Sequence, residues 1–253
     1  GANMHIPVLG VAAYAAALVA VPRAMAARKP FKLRGLTAAW NAALAAFSIA
    51  GTAHTFPTFY RVLATQGFRY SCCADIYEMA GNDGHGAPYF WAALFVASKL
   101  VEFGDTLLLM LKKKPVVFLH GFHHASVALL AWAGYARAAP SAMWCGSLNY
   151  AVHAAMYTYY GLMAVRTVRP LVGKVAGLVT LLQIAQMAAA SAVHVAIVVY
   201  ALLPPPPGAA PCRWDPGLNA AILAAYLVYL ALFAKVFVER YLVGGKRGGK
   251  KEL

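Results

Sequence analysis

Seven stretches of the chain are apolar over about 18 residues or more, the length at which a helix crosses a hydrocarbon core. They cover residues 4–21, 36–56, 89–111, 116–135, 142–165, 175–203 and 218–238. None sustains the period-two alternation of a barrel strand, so the pattern predicts helices. Pro57, Pro88, Pro115, Pro140 and the run 204–207 fall at or just beyond the predicted ends, where a residue without an N–H belongs. The small residues Ala42, Ala43, Ala45, Ala46 and Ala188 to Ala190 are candidates for close helix–helix approach. No internal repeat is visible, and no water-soluble domain has room between the runs. The expected fold is all-α: a polytopic membrane protein with one seven-helix transmembrane domain over 1–243 and a basic tail over 244–253.

Composition agrees with a membrane setting. Of 253 residues 62% are hydrophobic and 12% charged, with a mean hydropathy of +0.62; a soluble domain carries about 25% charged residues. The formal charge is +14, and its distribution matters more than its size. Basic residues lie between the apolar runs, which argues against a nucleic-acid partner. Sixteen of them (Arg23, Arg28, Lys29, Lys32, Arg34, Lys112, Lys113, Lys114, Arg166, Arg169, Lys174, Arg240, Lys246, Arg247, Lys250, Lys251) would share one side. Only Arg61, Arg69, Arg137 and Arg213 would share the other. Positive charge stays cytosolic, so the expectation is a lumenal N-terminus and a cytosolic C-terminus. No positive stretch precedes the first run, which fits a cleavable signal peptide poorly. No Asn-x-Ser/Thr acceptor occurs, so the lumenal loops are expected to carry no N-glycan.

Ionisable groups inside apolar runs cost several kcal/mol unless paired, and they mark functional sites by default. Here they cluster. Lys99, Glu102, Asp105 and Thr106 sit in the third run, His120, His123 and His124 in the fourth, Asn149, His153, Tyr157 and Tyr160 in the fifth, Thr180, Gln183 and Gln186 in the sixth. The three box histidines fall at i, i+3 and i+4, and His153, Met156, Tyr157 and Tyr160 continue such a face through i+7. At about 1.5 Å per residue all four groups lie roughly 6 to 18 Å below the cytosolic surface. The spacing predicts one chamber. His54 and His194 lie off this pattern and are read as structural. Lys99 would be an unpaired buried cation, so Glu102 or Asp105 is its expected partner. No cysteine lies at chamber depth and no Gly-x-Ser-x-Gly elbow occurs, while a neutral imidazole is itself a competent nucleophile toward a thioester. A di-iron desaturase or hydroxylase needs more histidine boxes than this one plus His153. A transporter would be expected to show an inverted half-repeat.

Four motifs stand in order on separate runs: KxxExxDT at 99–106, HxxHH at 120–124, HxxMYxYY at 153–160 and TxxQxxQ at 180–186. With them the chain, from about residue 28 to about 241, resembles the ELO family of fatty acid elongases, nearest to the branch acting on saturated and monounsaturated chains. The resemblance implies a very-long-chain 3-oxoacyl-CoA synthase that condenses acyl-CoA with malonyl-CoA and releases CO2 and CoA, with no cofactor and no metal. On that reading a ping-pong route runs through an acyl-imidazole on His123, with His153 assisting and His120 and His124 orienting or moving protons. Glu102 and Asp105 would hold imidazole tautomers, and Asn149, Gln183 and Gln186 would supply donors to an oxyanion. Lys112, Lys113, Lys114, Arg166, Arg169 and Lys174 are the candidates for the CoA phosphates. The acyl tail would lie in the lumenal half, where Phe90, Trp91, Trp132 and Trp144 are candidates for setting its length. Cys72 and Cys73 fall in the loop after the second span and Cys212 in the loop before the seventh, and an oxidising lumen permits a bridge; the resemblance favours Cys73 with Cys212. The C-terminal Lys250-Lys251-Glu252-Leu253 is similar to the dilysine retrieval signal of endoplasmic reticulum membrane proteins. Expected partners are membrane lipid and the ketoacyl reductase, dehydratase and enoyl reductase of the elongation cycle, and self-association as a homo-oligomer is compatible with this reading.

Overall fold

The structure, a computed structural model, describes residues 3–80 and 87–243, and every regular element among them is helical. In order these are α1 (His5–Met25), α2 (Arg34–Cys73), α3 (Ile76–Ala80), α4 (Ala87–Val101), α5 (Phe103–Leu111), α6 (Phe118–Ala136), α7 (Ala142–Met163), α8 (Arg169–Val172), α9 (Ala176–Leu202) and α10 (Pro216–Phe237). A 3-10 turn (Gly173–Val175) joins α8 to α9, and a π turn (Val238–Val243) extends α10. The basic tail and its dilysine ending lie outside the described residues.

Among the described residues four segments are long and apolar enough to cross a membrane: His5–Met25, Arg34–Cys73, Arg169–Leu202 and Pro216–Val243. The remaining expected spans differ for a physical reason. α6 and α7 have the length, 19 and 22 residues, but carry the imidazoles, amide and phenols of the motifs, which lower their hydropathy. The third run is two helices of 15 and 9 residues that meet at Glu102. There the Asp105 N–H reaches the Glu102 carbonyl at 3.0 Å, an i to i+3 bond. Such tightening inside a helix marks a functional or strained point, and Glu102 is the buried carboxylate of the site.

The second span also departs from expectation. Its helix does not stop at Pro57 but runs through it to Cys73, with a break at Gly67, whose φ of 81° suits glycine alone among ordinary residues. Of the alanine run Ala45 alone is on the buried face, with Asn41, Leu44 and Ser48, at i, i+3, i+4 and i+7, while Ala42, Ala43 and Ala46 are exposed. α2 packs chiefly on α7, and α9 on α10. Gly51 makes the α2–α7 approach feasible: a Cβ there would overlap the Tyr150 ring.

Alternating helices give the bundle two distinct ends. At one, the Phe31 N–H donates to Leu111 O at 3.0 Å and Lys113 Nζ donates to Ala26 O at 3.0 Å, bringing the basic α1–α2 and α5–α6 connections together. At the other, Arg213 pairs with Asp75 at 2.7 Å and Arg137 with Asp215 at 2.8 Å. A Cys73–Cys212 disulfide joins the end of α2 to the segment before α10, while Cys72 is free and buried against Val193 and Ile197. The bridge closes a loop with a sequence separation of 139, so it restrains the unfolded chain strongly. Reduction is expected to remove about 2–4 kcal/mol of stability. Thermal melts with and without reductant, with alkylation and mass measurement of Cys73 and Cys212, check this; alkylation of both without reductant would contradict the bridge.

Asp215 caps α10, its Oδ1 accepting from the Leu218 N–H at 3.0 Å. That backbone bond first, then the Arg137 guanidinium, holds its carboxyl below the ordinary 3.8. A lowered folded value stabilises the fold above the unfolded value, and the effect is lost as pH falls through the folded one. The Tm gap between wild type and Asp215→Ala is therefore expected to be widest above about pH 4 and to narrow on acidification.

Candidate active site

The site begins with the buried cation. Lys99, at the end of α4, is 1% exposed. Its Nζ donates to Glu102 Oε1 at 2.7 Å and to Asn149 Oδ1 at 2.8 Å, and lies 4.4 Å from the Phe95 ring centre. Of the two partners open to it on sequence, Glu102 is the one used. The same Oε1 also accepts from Ser98 at 3.2 Å and lies 3.7 Å from His153 Nδ1. One buried carboxylate oxygen thus links α4, α7 and the break before α5. Glu102 is placed as a carboxylate orienting an imidazole would be.

Asp105 is not. Its two oxygens accept from Trp40 Nε1 and the Tyr157 hydroxyl, each at 2.7 Å. Each oxygen is bonded from α2 or α7 and neither to a histidine among the described residues, so Asp105 fixes those helices on α5 rather than a histidine tautomer. Gly104 beside it lets the indole in: a Cβ there would overlap the Trp40 ring. Thr106 carries the link that Asp105 does not. Its hydroxyl lies 2.9 Å from Tyr14 OH and 2.9 Å from His120 Nε2, joining α1, α5 and α6.

The three box histidines then have different surroundings. His120 is tied to Thr106. His124 packs between His120, with ring centres 4.4 Å apart, and Phe103 at 6.4 Å. His123 turns toward α10, where it meets Tyr229 edge to face at 4.7 Å. Four buried polar atoms have no hydrogen-bond partner among the described residues: Glu102 Oε2, His123 Nδ1, His124 Nδ1 and Gln186 Oε1. Desolvated groups of this kind are costly to leave unpaired. All four belong to the motifs.

His123, Asn149 and Gln186 reach the wall of an apolar cavity enclosed by α4, α6, α7, α9 and α10. From these polar groups it runs past Phe95, Val127 and Leu130 to Pro88, Tyr135 and Ala139 at the far end of the bundle. The aromatic residues expected to bound it do not. Phe90 is 58% exposed, Trp91 stacks on His54 at 5.1 Å, and Trp144 packs on Phe59 at 4.7 Å. Its walls come from Ile76, Met143, Tyr150 and Ile222 instead. His194 is structural as read, with Nδ1 2.6 Å from Asn219 Oδ1.

Some expected residues stand apart. Gln183 Nε2 is 3.2 Å from Met156 Sδ rather than in the cavity wall, and Tyr160 is 45% exposed. Lys112 donates to Thr37 Oγ1 at 3.1 Å and Lys113 to Ala26 O. Lys114, Arg166, Arg169 and Lys174 are exposed. All six lie at the basic end, nearer the histidines than the far end of the cavity. Sequence reasoning missed Tyr14, Trp40, Ser126 and Tyr229. A phenol or indole N–H inside an apolar run needs a partner, and that was the available signal.

These features define a helical membrane protein in which a buried layer of imidazole, carboxylate, ammonium and amide groups closes one end of an apolar cavity. A profile of the ELO family, described as the GNS1/SUR4 family, matches residues 1–249. Very long chain fatty acid elongase 6 of Drosophila melanogaster is 37% identical over 86% of this chain and 66% of its own length. Fatty acid elongase 3 of Trypanosoma cruzi (strain CL Brener) is 33% identical over 95% of this chain and 85% of its own. Very long chain fatty acid elongase 3 of Homo sapiens is 31% identical over 86% and 76%. The chain belongs to the ELO family.

Proposed function

We propose that the protein is the condensing enzyme of fatty acid elongation, joining a long-chain acyl-CoA to malonyl-CoA and releasing CO2 and CoA. The observation that carries this is the placement of His123, Asn149 and Gln186 at the polar end of a long apolar cavity. A fatty chain lying in that cavity would bring its thioester to the imidazole. An imidazole nitrogen of His123 attacks the thioester carbonyl, the C–S bond breaks, and CoA leaves as the thiol with the imidazole proton. Malonyl-CoA then loses CO2. The enolate carbon forms the new C–C bond at the acyl carbonyl as the C–N bond breaks, and the imidazole takes up a proton. The sum is acyl-CoA, malonyl-CoA and one proton to 3-oxoacyl-CoA, CoA and CO2. Asn149 and Gln186 amides suit the developing oxyanion. His153, held near Glu102, suits the enolate step. Lys112, Lys113, Lys114, Arg166, Arg169 and Lys174 suit the CoA phosphates at the mouth.

In this reading the helical runs form seven spans with the basic end cytosolic, following the positive-inside distribution. The location is the endoplasmic reticulum membrane, where the dilysine tail would retain the protein beside the reductases and dehydratase of the cycle. The experiment is release of labelled CO2 from malonyl-CoA by purified protein, expected only when long-chain acyl-CoA is present. Release independent of acyl-CoA, or none under any acyl-CoA, would overturn the assignment.

A further inference from the structure

Of the three box histidines, His123 and His124 have rings that no hydrogen bond orients, each Nδ1 being buried without a partner among the described residues, and of these two it is His123 that reaches the cavity wall. A histidine that must present one nitrogen in a fixed direction needs its ring plane set by something. Tyr229 of α10 meets that ring edge to face, centres 4.7 Å apart and planes at 72°. Tyr229 is 2% exposed, and its hydroxyl lies 2.6 Å from Ser126 Oγ.

The direction of that bond can be deduced. Ser126 has one hydroxyl proton, and its Oγ lies 2.5 Å from Phe122 O and 3.4 Å from His123 O. Both are carbonyls and accept only, so the serine proton is committed to the helix backbone. The Tyr229 hydroxyl therefore donates to Ser126 Oγ. Its proton is occupied, which suits a fixed strut better than a general acid. The phenol is thereby clamped to the turn of α6 that carries His123.

We infer that Ser126 and Tyr229 together are positioning residues that hold the His123 imidazole in its attacking orientation. His123 and Tyr229 both line the apolar cavity, so the angle between their rings fixes how the imidazole meets a thioester lying there. The inference rests on the acyl-imidazole reading above and adds two residues outside all four motifs.

The test is single-turnover acylation of the full chain with labelled palmitoyl-CoA, the label mapped to the peptide holding His123. The variants are Ser126→Ala, Tyr229→Phe, their double, and Ser126→Thr, with melting temperatures in parallel. Each alanine or phenylalanine variant is expected to acylate about tenfold more slowly, with KM for acyl-CoA within about twofold. The double is expected to be no slower than either single, because both break one link, and Ser126→Thr, which keeps the hydroxyl, is expected to restore the rate. Wild-type rates in both singles, multiplying losses in the double, or a rise in KM at unchanged kcat would overturn the positioning role. Unlabelled His123 in the wild type would overturn the acyl-imidazole reading and this inference with it. A labelled wild type with unaffected variants would overturn only the inference.

Discussion

Replacing His123 with alanine is expected to abolish labelled acyl-enzyme and to lower acyl-CoA-dependent CO2 release by at least about 10³-fold, the scale on which removal of a nucleophile is felt. The ranking within the box follows from surroundings. His123 is the box histidine in the cavity wall. His120 is bonded to Thr106, and His124 is enclosed between His120 and Phe103. His120→Ala should therefore cost less, acting through the Thr106–Tyr14 link that holds α1 on α5. Scintillation counting of released CO2, together with label on the protein, checks both steps. Retained acylation in His123→Ala with loss in His153→Ala would move the acyl group to His153.

Lys99→Met is expected to destabilise the protein by about 3–5 kcal/mol, the usual cost of leaving one member of a buried ion pair alone. Glu102 would remain, 3% exposed, with Ser98 still bonded but its ammonium gone, and Asn149 would lose its donor. Lys99→Met with Glu102→Leu removes both charges and should regain most of that stability while remaining inactive, because His153 loses its nearby carboxylate. Thermal melts in detergent decide it. A single variant no less stable than the double would mean that Glu102 is not held as a charge by Lys99.

Much of the site was readable before any coordinates. A lysine among apolar residues demands a partner, and the i, i+3 spacing offered Glu102, which is the partner found at 2.7 Å. The histidines at 120, 123 and 124 fall within two helical turns, and a rise of about 1.5 Å per residue puts the four motifs at similar depth. What failed to read was the identity of cross-helix partners. Asp105 had the same sequence credentials as Glu102 but is filled by Trp40 and Tyr157. Bulky aromatics in the outer half looked like cavity walls, yet the cavity follows Pro88, Tyr135 and Met143.

The sequence by itself determined the membrane-compatible helices, the asymmetric charge and the four polar motifs, because hydropathy, charge and helical spacing are local properties of the chain. The tertiary structure decided which buried oxygen faces which nitrogen, that Thr106 rather than Asp105 reaches His120, and that Tyr229 stands against His123. Those outcomes depend on how α1, α2 and α10 rotate and pack around the motif-bearing helices. A hydrogen bond selects its partner over a few tenths of an ångström, and no spacing along one helix encodes the rotation of another.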